Sequence, residues 1–510
     1  MLRSSGILGG WDMSSDSNWS VVKTGDIFDL INGYAFKSRE FIAQGAPVLK
    51  IKNVKAGALN LDNLSYVDPG FLATKPDKVV QKNDLLITMS GNRHDGSMET
   101  WVGKVCWFGS DSPYLVNQRV GTLRLKNIVD ENPRFLAYQL SSESFQKHFI
   151  AVATSSGGQA NLAPTQINST ELLLPPRTVQ DWIVSVVGGL EDKIQLNHQI
   201  NQTLEQMAQA LFKSWFVDFE PVKAKIAALE AGGSEEDALL AAMQAISGTS
   251  LCDADASATS AAEQLARLQA QQPEQYAELR ATAELFPSAI QDSELGEIPK
   301  GWAVRDLKSS TTEIRRGISP RYTEDGGIQV INQKCIRNHK INFVLARRND
   351  SSKRKINGRE IQIGDVLVNS TGVGTLGRLT PVRLLPEPSV ADSHVTVVRA
   401  NTRLISKAFL AGLMLSSEPF IEASGAGSTG QTELRKQVLE DIMFAMPSLE
   451  LSTTYETIVS PMGQQIACLE EQLTSLARTR DSLLPKLLSG ELTIPDAESK
   501  LTEIEEAANV

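Results

Sequence analysis

Cysteine is scarce: Cys106, Cys252, Cys335 and Cys468 are the 4 in 510 residues, and no two form a CxxC pair. That spacing provides neither a disulfide framework nor a zinc cluster. The 5 histidines are equally scattered, so no metal is expected. Long hydrophobic runs are missing too, and nothing approaches the roughly 18 to 20 unbroken apolar residues of a membrane span. The opening "MLRSSGILGGWDMSSDSNWS" has an apolar run too short and too glycine-rich for a secretory signal. A cytoplasmic protein with no membrane partner is the expectation. Positive charge is also in deficit: the net charge is −10, which taken whole argues against a nucleic-acid partner.

The distribution of charge reverses that last inference. Residues 229–297 carry 13 acids and 2 bases, and residues 491–510 carry 6 acids and 1 base. The remainder is therefore positive. Within it, residues 301–360 hold 14 bases and 6 acids, a concentration that is costly to assemble without an anionic partner.

A chain of this length exceeds one ordinary core, so several domains are expected. The sequence states how they are related. "QKNDLLITMSG" at 81–91 returns as "QIGDVLVNSTG" at 362–372. Other anchors recur in the same order: Trp19 and Val21 with Trp302 and Val304, "NGYAFKS" with "RGISPRY", "LSSESF" with "LSSEPF", "GGQANL" with "TGQTEL", and Pro175 with Pro447. Collinear matches with small gaps mean two copies of one unit.

Each copy opens with about 150 residues of short β-like runs bounded by Asn-Asp, Gly-Asp and Ser-Gly turn signals, as expected for a curled, mostly antiparallel sheet. A shorter helical piece follows near 133–152 and 405–423. The period then changes. Ile183, Val187, Leu190, Ile194, Asn197, Asn201, Leu204, Ala208 and Leu211 form one heptad seam. Val459, Met462, Ile466, Leu469, Leu473, Leu476, Arg480, Leu483 and Leu487 form another. Mutual pairing of the two helices is the expected use of such seams, with Asn197 and Asn201 fixing register. An antiparallel pair would carry the β-rich units to opposite ends of a rod on the order of 50 Å long. That exceeds one turn of B-DNA, roughly 34 Å.

The predicted architecture is therefore α+β: two β-rich domains at 19–175 and 299–447, related by the repeat, and two long antiparallel coiled-coil helices at 176–222 and 448–490. Between the copies, 223–298 reads as an acidic, alanine-rich helical connector, with disorder expected around 248–260 and Ser234 as an N-cap before three acids. An acidic tail, 491–510, closes the chain.

These features together resemble the specificity subunit of a type I restriction-modification system. The likeness rests on "GGQANLAPTQINSTELLLPP" (157–176), "LFKSWFVDFEPVKAK" (211–225), "ELGEIPKGW" (294–302), "VINQKCIRN" (330–338) and "LLPKLLSGEL" (483–492), in this order across two repeats. The resemblance implies two target recognition domains, each reading one half of a split, asymmetric site on double-stranded DNA. It also implies paired helices that set the gap and dock two modification (methyltransferase) subunits, which recruit restriction/translocase subunits. The chain itself would be non-catalytic and bind no cofactor, with S-adenosylmethionine, ATP and magnesium on the partners.

Other chemistry is less well supported. "GVGTLG" (372–377) satisfies G-x-G-x-x-G, but a turn-rich stretch follows where a nucleotide site needs a helix. "ENPRF" (131–135) is only faintly like an amino-methyltransferase loop, and no donor-binding glycine motif precedes it. Asp392, Ser393 and His394 adjoin in sequence, which does not make a triad. A self-contained nuclease or methyltransferase is thereby disfavoured, and the competing reading is a coiled-coil adaptor with no role for DNA.

Arg and Lys neutralise phosphates, whereas Asn, Gln and Arg read base edges. On that basis the DNA-contact candidates in the first unit are Lys37, Lys50, Lys52, Asn53, Asn92, Arg93, His94, Gln118 and Arg119. In the second they are Arg315, Arg316, Arg321, Tyr322, Asn332, Gln333, Lys334, Arg337, Ser370, Thr371 and His394. Gln159 and Gln431 sit in matching loops. Trp215, Phe216 and Phe219, ending the first long helix, suit either local core packing or docking of a modification subunit.

Overall fold

The computed structural model describes residues 19–61, 63–93, 100–156, 159–250, 261–372, 374–425 and 433–492. It divides into two units, one running to Gln195 and resuming at Thr474, the other spanning Leu196–Leu473. The division falls inside both long helices, Arg177–Phe216 and Leu449–Ser489. Each unit therefore holds one β-rich domain and a part of each long helix. No helix among the described residues is long and apolar enough to cross a membrane.

In the first unit, Ser20–Lys23 pairs antiparallel with Glu171–Leu174, which closes the domain's two chain ends together. A four-stranded antiparallel sheet runs in the order Phe28–Asn32, Val120–Leu125, Leu85–Thr88, Val105–Trp107. A second sheet runs Phe41–Ile42, Ser65–Val67, Ala46–Leu49, Tyr114–Val116, Val79–Val80. Within it, Tyr114–Val116 lies parallel to Ala46–Leu49. Helices Pro133–Leu140 and Glu143–Val152 bury Phe135, Leu136, Phe145 and Phe149 in the same core as the first sheet.

The second unit repeats this plan. Ala303–Asp306 pairs with Met443–Met446. Its four-stranded sheet runs Thr311–Arg316, Val395–Ala400, Val366–Asn369, Leu379–Pro381. Its other sheet runs Tyr322–Thr323, Arg347–Asn349, Ile328–Ile331, Ser389–Ala391, and again the last two strands are parallel. The sequence expectation of mostly antiparallel sheets holds, with one parallel pair in each unit that strand-length patterns do not reveal.

The repeated eleven residues have a physical role. Gln81 N donates to Asp84 Oδ2 at 2.7 Å, and Gln362 N donates to Asp365 Oδ2 at 2.8 Å. Each carboxylate closes the turn and then faces an arginine on the neighbouring strand. Arg124 Nε and Nη2 meet the two oxygens of Asp84 at 2.9 and 2.7 Å, and Arg399 meets those of Asp365 at 2.7 and 2.7 Å. The arginines also donate to the carbonyls of Val79 and Glu360. Asp84 is 3% and Asp365 1% exposed, so both carboxylates depend on these bidentate partners. The next four residues, Leu85–Thr88 and Val366–Asn369, are the fully buried central strands. Gly33 and Gly317 belong to the same framework. A Cβ there would lie 2.2 Å from the Asn117 carbonyl oxygen or 2.0 Å from that of Ala391, so only glycine permits the approach.

The long helices have 40 and 41 residues. In the second unit, Asn197 Nδ2 donates to Gln472 Oε1 at 3.3 Å and Tyr455 Oη donates to the Ala208 carbonyl at 3.1 Å, so the helices run antiparallel. Asn201 is buried in the same seam with no hydrogen-bond partner for its amide among the described residues. In the first unit, Ile183 and Val187 share a core with Leu483, Leu487 and Leu488. Polar ties seat each β-rich domain on its helices. Tyr138 Oη and Arg134 Nη2 both bond Glu191 in the first unit. Arg383 pairs with Glu205 and Lys340 with Glu470 in the second, while His339 Nε2 pairs with Glu418 on Lys407–Ala423, a helix of the domain itself. The contact with Glu418 holds the His339 imidazole above its usual range.

The connector is a folded helical insertion: Glu220–Glu230, Glu235–Ser250, Ala261–Gln271 and Pro273–Glu284, then the hairpin Ile290–Ser293/Gly296–Pro299. Ser234 caps its helix as expected, accepting from Asp237 N while its own N donates to Asp237 Oδ2. Most of the stretch expected to be disordered, 251–260, and most of the tail, 493–510, lie outside the described residues.

Removing one partner of a buried ion pair leaves the other uncompensated. Asp84→Ala, which leaves Arg124 with no other ion pair among the described residues, should lower the unfolding free energy of the chain by about 3 kcal/mol in denaturant titration. Asp111→Asn, at the exposed Lys82–Asp111 pair, should leave it unchanged.

Candidate nucleic-acid interface

Three loops converge at one corner of each β-rich domain, at equivalent places in the two copies. The loop after the parallel strand begins at Lys50 or Asn332. The loop after the central strand begins at Met89 or Ser370, and the loop before the last sheet strand is 117–119 or 392–394. Backbone bonds knit them together. Asn117 N donates to Leu49 O and Asp392 N to Ile331 O, both at 2.9 Å. Met89 N donates to Arg119 O at 2.9 Å and Ser370 N to His394 O at 2.8 Å. Val120 N and Val395 N then turn back to the carbonyls of Asn117 and Asp392. Candidates far apart in sequence thus become neighbours: Lys50, Lys52, Asn92, Gln118 and Arg119 in one domain, and Asn332, Gln333, Lys334, Thr371 and His394 in the other.

In the first domain this corner adjoins an aromatic cluster, Tyr34, Phe36, Phe41 and Phe71, with ring centroids 4.9 to 5.9 Å apart. Lys50 Nζ lies 3.6 Å from the Phe41 centroid and Lys75 Nζ 5.2 Å from that of Tyr34. Partial burial and the neighbouring Lys52 charge lower the Lys50 pKa. Gln118 and Arg119 are exposed, as are Lys37 and Lys52. Tyr34 and Lys75 escaped the sequence reading. The aromatic in "NGYAF" was the available signal, and the second copy has Ile318 in its place.

In the second domain, Tyr322 Oη donates to Asp392 Oδ2 at 2.5 Å, and the Arg347 guanidinium lies 3.4 Å over the Tyr322 ring. Burial and the Asp392 contact raise the Tyr322 pKa. Asp392 Oδ1 also accepts from His394 N at 2.9 Å, and His394 Nδ1 lies 2.7 Å from Thr371 Oγ1. Among the described residues His394 makes no hydrogen bond to a serine side chain, and 392–394 is a turn closed by Asp392. Lys334, Arg337 and Arg321 are exposed. Asn332 accepts from Lys334 N at 2.8 Å.

Several candidates are corrected by their surroundings. Asn53 is buried, accepting from Lys50 N and donating to Asn60 O, so it braces the loop. Ser370 is buried against Thr396. Arg93 is turned inward onto the Ala153 carbonyl. Arg315 is held by Glu313, and Arg316 by Glu433 and the Leu434 carbonyl. The basic stretch 301–360 is partly neutralised by acids distant in sequence: Arg348 by Glu387, Lys340 by Glu470, Arg316 by Glu433. Arg321, Lys334, Arg337, Arg354 and Lys355 are exposed with no ion-pair partner among the described residues. Gln159 is exposed on Gln159–Asn161. His94 and Gln431 lie outside the described residues.

The dismissed motifs resolve structurally. "GVGTLG" leads through a turn into strand Leu379–Pro381, without the helix a dinucleotide site needs. Asn132 of "ENPRF" caps helix Pro133–Leu140, accepting from Arg134 N and Phe135 N. Among the described residues no group of three or more His, Cys, Asp or Glu could hold a metal ion.

A family model described as "Type I restriction modification DNA specificity domain" matches residues 16–206. The chain is 32% identical over 377 residues to the HindI specificity subunit of Haemophilus influenzae, covering 71% of this chain and 77% of that protein. The chain belongs to the specificity subunits of type I restriction enzymes. It is also 22% identical to the MjaIX specificity subunit of Methanocaldococcus jannaschii, over 73% of this chain and 72% of that one. The fold matches the crystal structure of the type I restriction-modification system S subunit from M. genitalium, with a TM-score of 0.52 and 14% identity, over 93% of this chain and 97% of that one.

In this specificity subunit the end of the first long helix is not a free docking face. Trp215 is 0% exposed. Its ring meets Phe286 at 5.2 Å and Tyr455 at 6.0 Å, Phe216 meets Phe409 at 4.9 Å, and Phe219 packs on Trp302 at 5.6 Å. The connector supplies Phe286, Leu239, Met243 and Ile246 to the same core. The docking expectation for Trp215, Phe216 and Phe219 is therefore replaced by core packing. Trp215→Ala should destabilise the chain by roughly 3 to 5 kcal/mol, read by chemical unfolding of the isolated protein without partner subunits.

Proposed function

We propose that this specificity subunit reads an asymmetric, two-part DNA site, each β-rich domain contacting one half through its three-loop corner. The observation that carries this reading is the contrast between framework and loops. The Asp–Arg clamp, the glycine approach and the backbone bonds among loops are the same in both copies. The side chains on those loops differ: exposed Gln118 and Arg119 in one, half-buried Ser393 and exposed His394 in the other. A fixed frame presenting different donors and acceptors suits two different base sequences.

The chain itself catalyses nothing in this proposal. Two modification subunits hold S-adenosylmethionine and methylate adenine, and restriction subunits use ATP and magnesium. The exposed cations Arg321, Lys334, Arg337, Arg354 and Lys355 contribute phosphate neutralisation that weakens steeply with salt. The acidic connector stays off the duplex by its charge.

Replacing residues 19–175 by the corresponding domain of another family member, and mapping methylated adenines in the host DNA, tests the division of labour. One half of the recognised sequence should change and the other should persist. Simultaneous change of both halves would contradict independent readers.

A further inference from the structure

Asp392 is 3% exposed yet belongs to an outward-facing loop. Its carboxylate accepts from three donors: Tyr322 Oη at 2.5 Å, His394 N at 2.9 Å and Ser393 Oγ at 3.2 Å. Tyr322 is in turn covered by the Arg347 guanidinium. The turn is thereby anchored from below, while the His394 side chain remains 54% exposed. An exposed imidazole would ordinarily sample several rotamers. Here Thr371 Oγ1, on the neighbouring loop, lies 2.7 Å from Nδ1 and fixes the ring.

The same geometry selects a tautomer. Asp392 Oδ1 lies 4.0 Å from Nε2, too long for a hydrogen bond but close enough to favour a proton on that nitrogen. Nδ1 then accepts from the Thr371 hydroxyl, since the bond at one ring nitrogen decides which carries the proton. We infer that His394 presents Nε2–H to a hydrogen-bond acceptor on a base edge in the second half-site, with Asp392, Tyr322, Arg347 and Thr371 as positioning residues. This rests on the DNA-reading function proposed above. The acceptors available in the major groove are guanine N7 and O6, adenine N7 and thymine O4. In the first domain Asn117 stands in the place of Asp392, in the equivalent backbone bridge, and carries no carboxylate.

The test uses the chain assembled with its modification subunits and measures binding to duplexes carrying every single base-pair change in the two half-sites. His394→Ala should relax discrimination at one base pair of the second half-site by about tenfold and leave the first half-site unchanged. Tyr322→Phe and Thr371→Val should relax the same position by a smaller factor, which a merely structural role would not confine to one position. A 7-deazapurine at that position should weaken the wild type but not His394→Ala if the acceptor is N7. Equal wild-type binding with relaxation retained identifies O6 or O4 instead. Full discrimination retained by His394→Ala, or uniform weakening at all positions, would overturn the assignment while leaving DNA reading intact. A wild-type complex with no preference for a two-part site would overturn the DNA-reading function and this inference with it.

Discussion

A carboxylate buried at the start of a central strand constrains the sheet around it. Asp84 and Asp365 each close a tight turn with their own oxygens and then take both arms of an arginine from the adjoining strand. Such a pair tolerates little displacement, because a nearly fully buried carboxylate would lose both of its charge-assisted bonds. The turn, the central strand and the strand carrying the arginine therefore keep one register. The loops that leave those strands emerge at one corner in a fixed arrangement. The protein gains two rigid platforms whose exposed side chains can differ without disturbing the frame.

Much of this was written plainly in the sequence. Eleven residues repeated in order with other anchors declared the duplication, and heptad spacing declared two long helices that the structure pairs antiparallel. Long-range partners were not legible. Arg124 lies 40 residues from Asp84 and Arg399 lies 34 from Asp365, so no local period connects them. The parallel strand pair depends on a connection that crosses between sheets, which short apolar runs do not indicate. Chemical type alone cannot tell Asn53, which bonds its own loop, from Gln118, which is exposed. The charge of 301–360 misled for the same reason: Glu387, Glu433 and Glu470 lie outside that window and neutralise part of it.

The aromatic end of the first long helix shows how composition can suggest an interface where folding needs a core. Trp215, Phe216 and Phe219 look available in a helix considered alone. The inserted connector brings Phe286 and an alanine- and leucine-rich helix against them, and the second long helix brings Tyr455. An acidic segment that seemed only a linker thus completes the hydrophobic core of its unit. Its inward apolar face stabilises the end of the helix.

In the proposed function each β-rich domain contacts its own stretch of duplex through its three-loop corner. Photocrosslinking from single modified bases placed in turn through both half-sites of bound DNA, with the attached peptides identified, measures this directly. Bases of one half should attach to peptides around 34–53 and 117–119, and bases of the other to peptides around 322–334 and 392–394. Attachment of both halves to the same domain, or to the acidic helices at 220–284, would contradict the account.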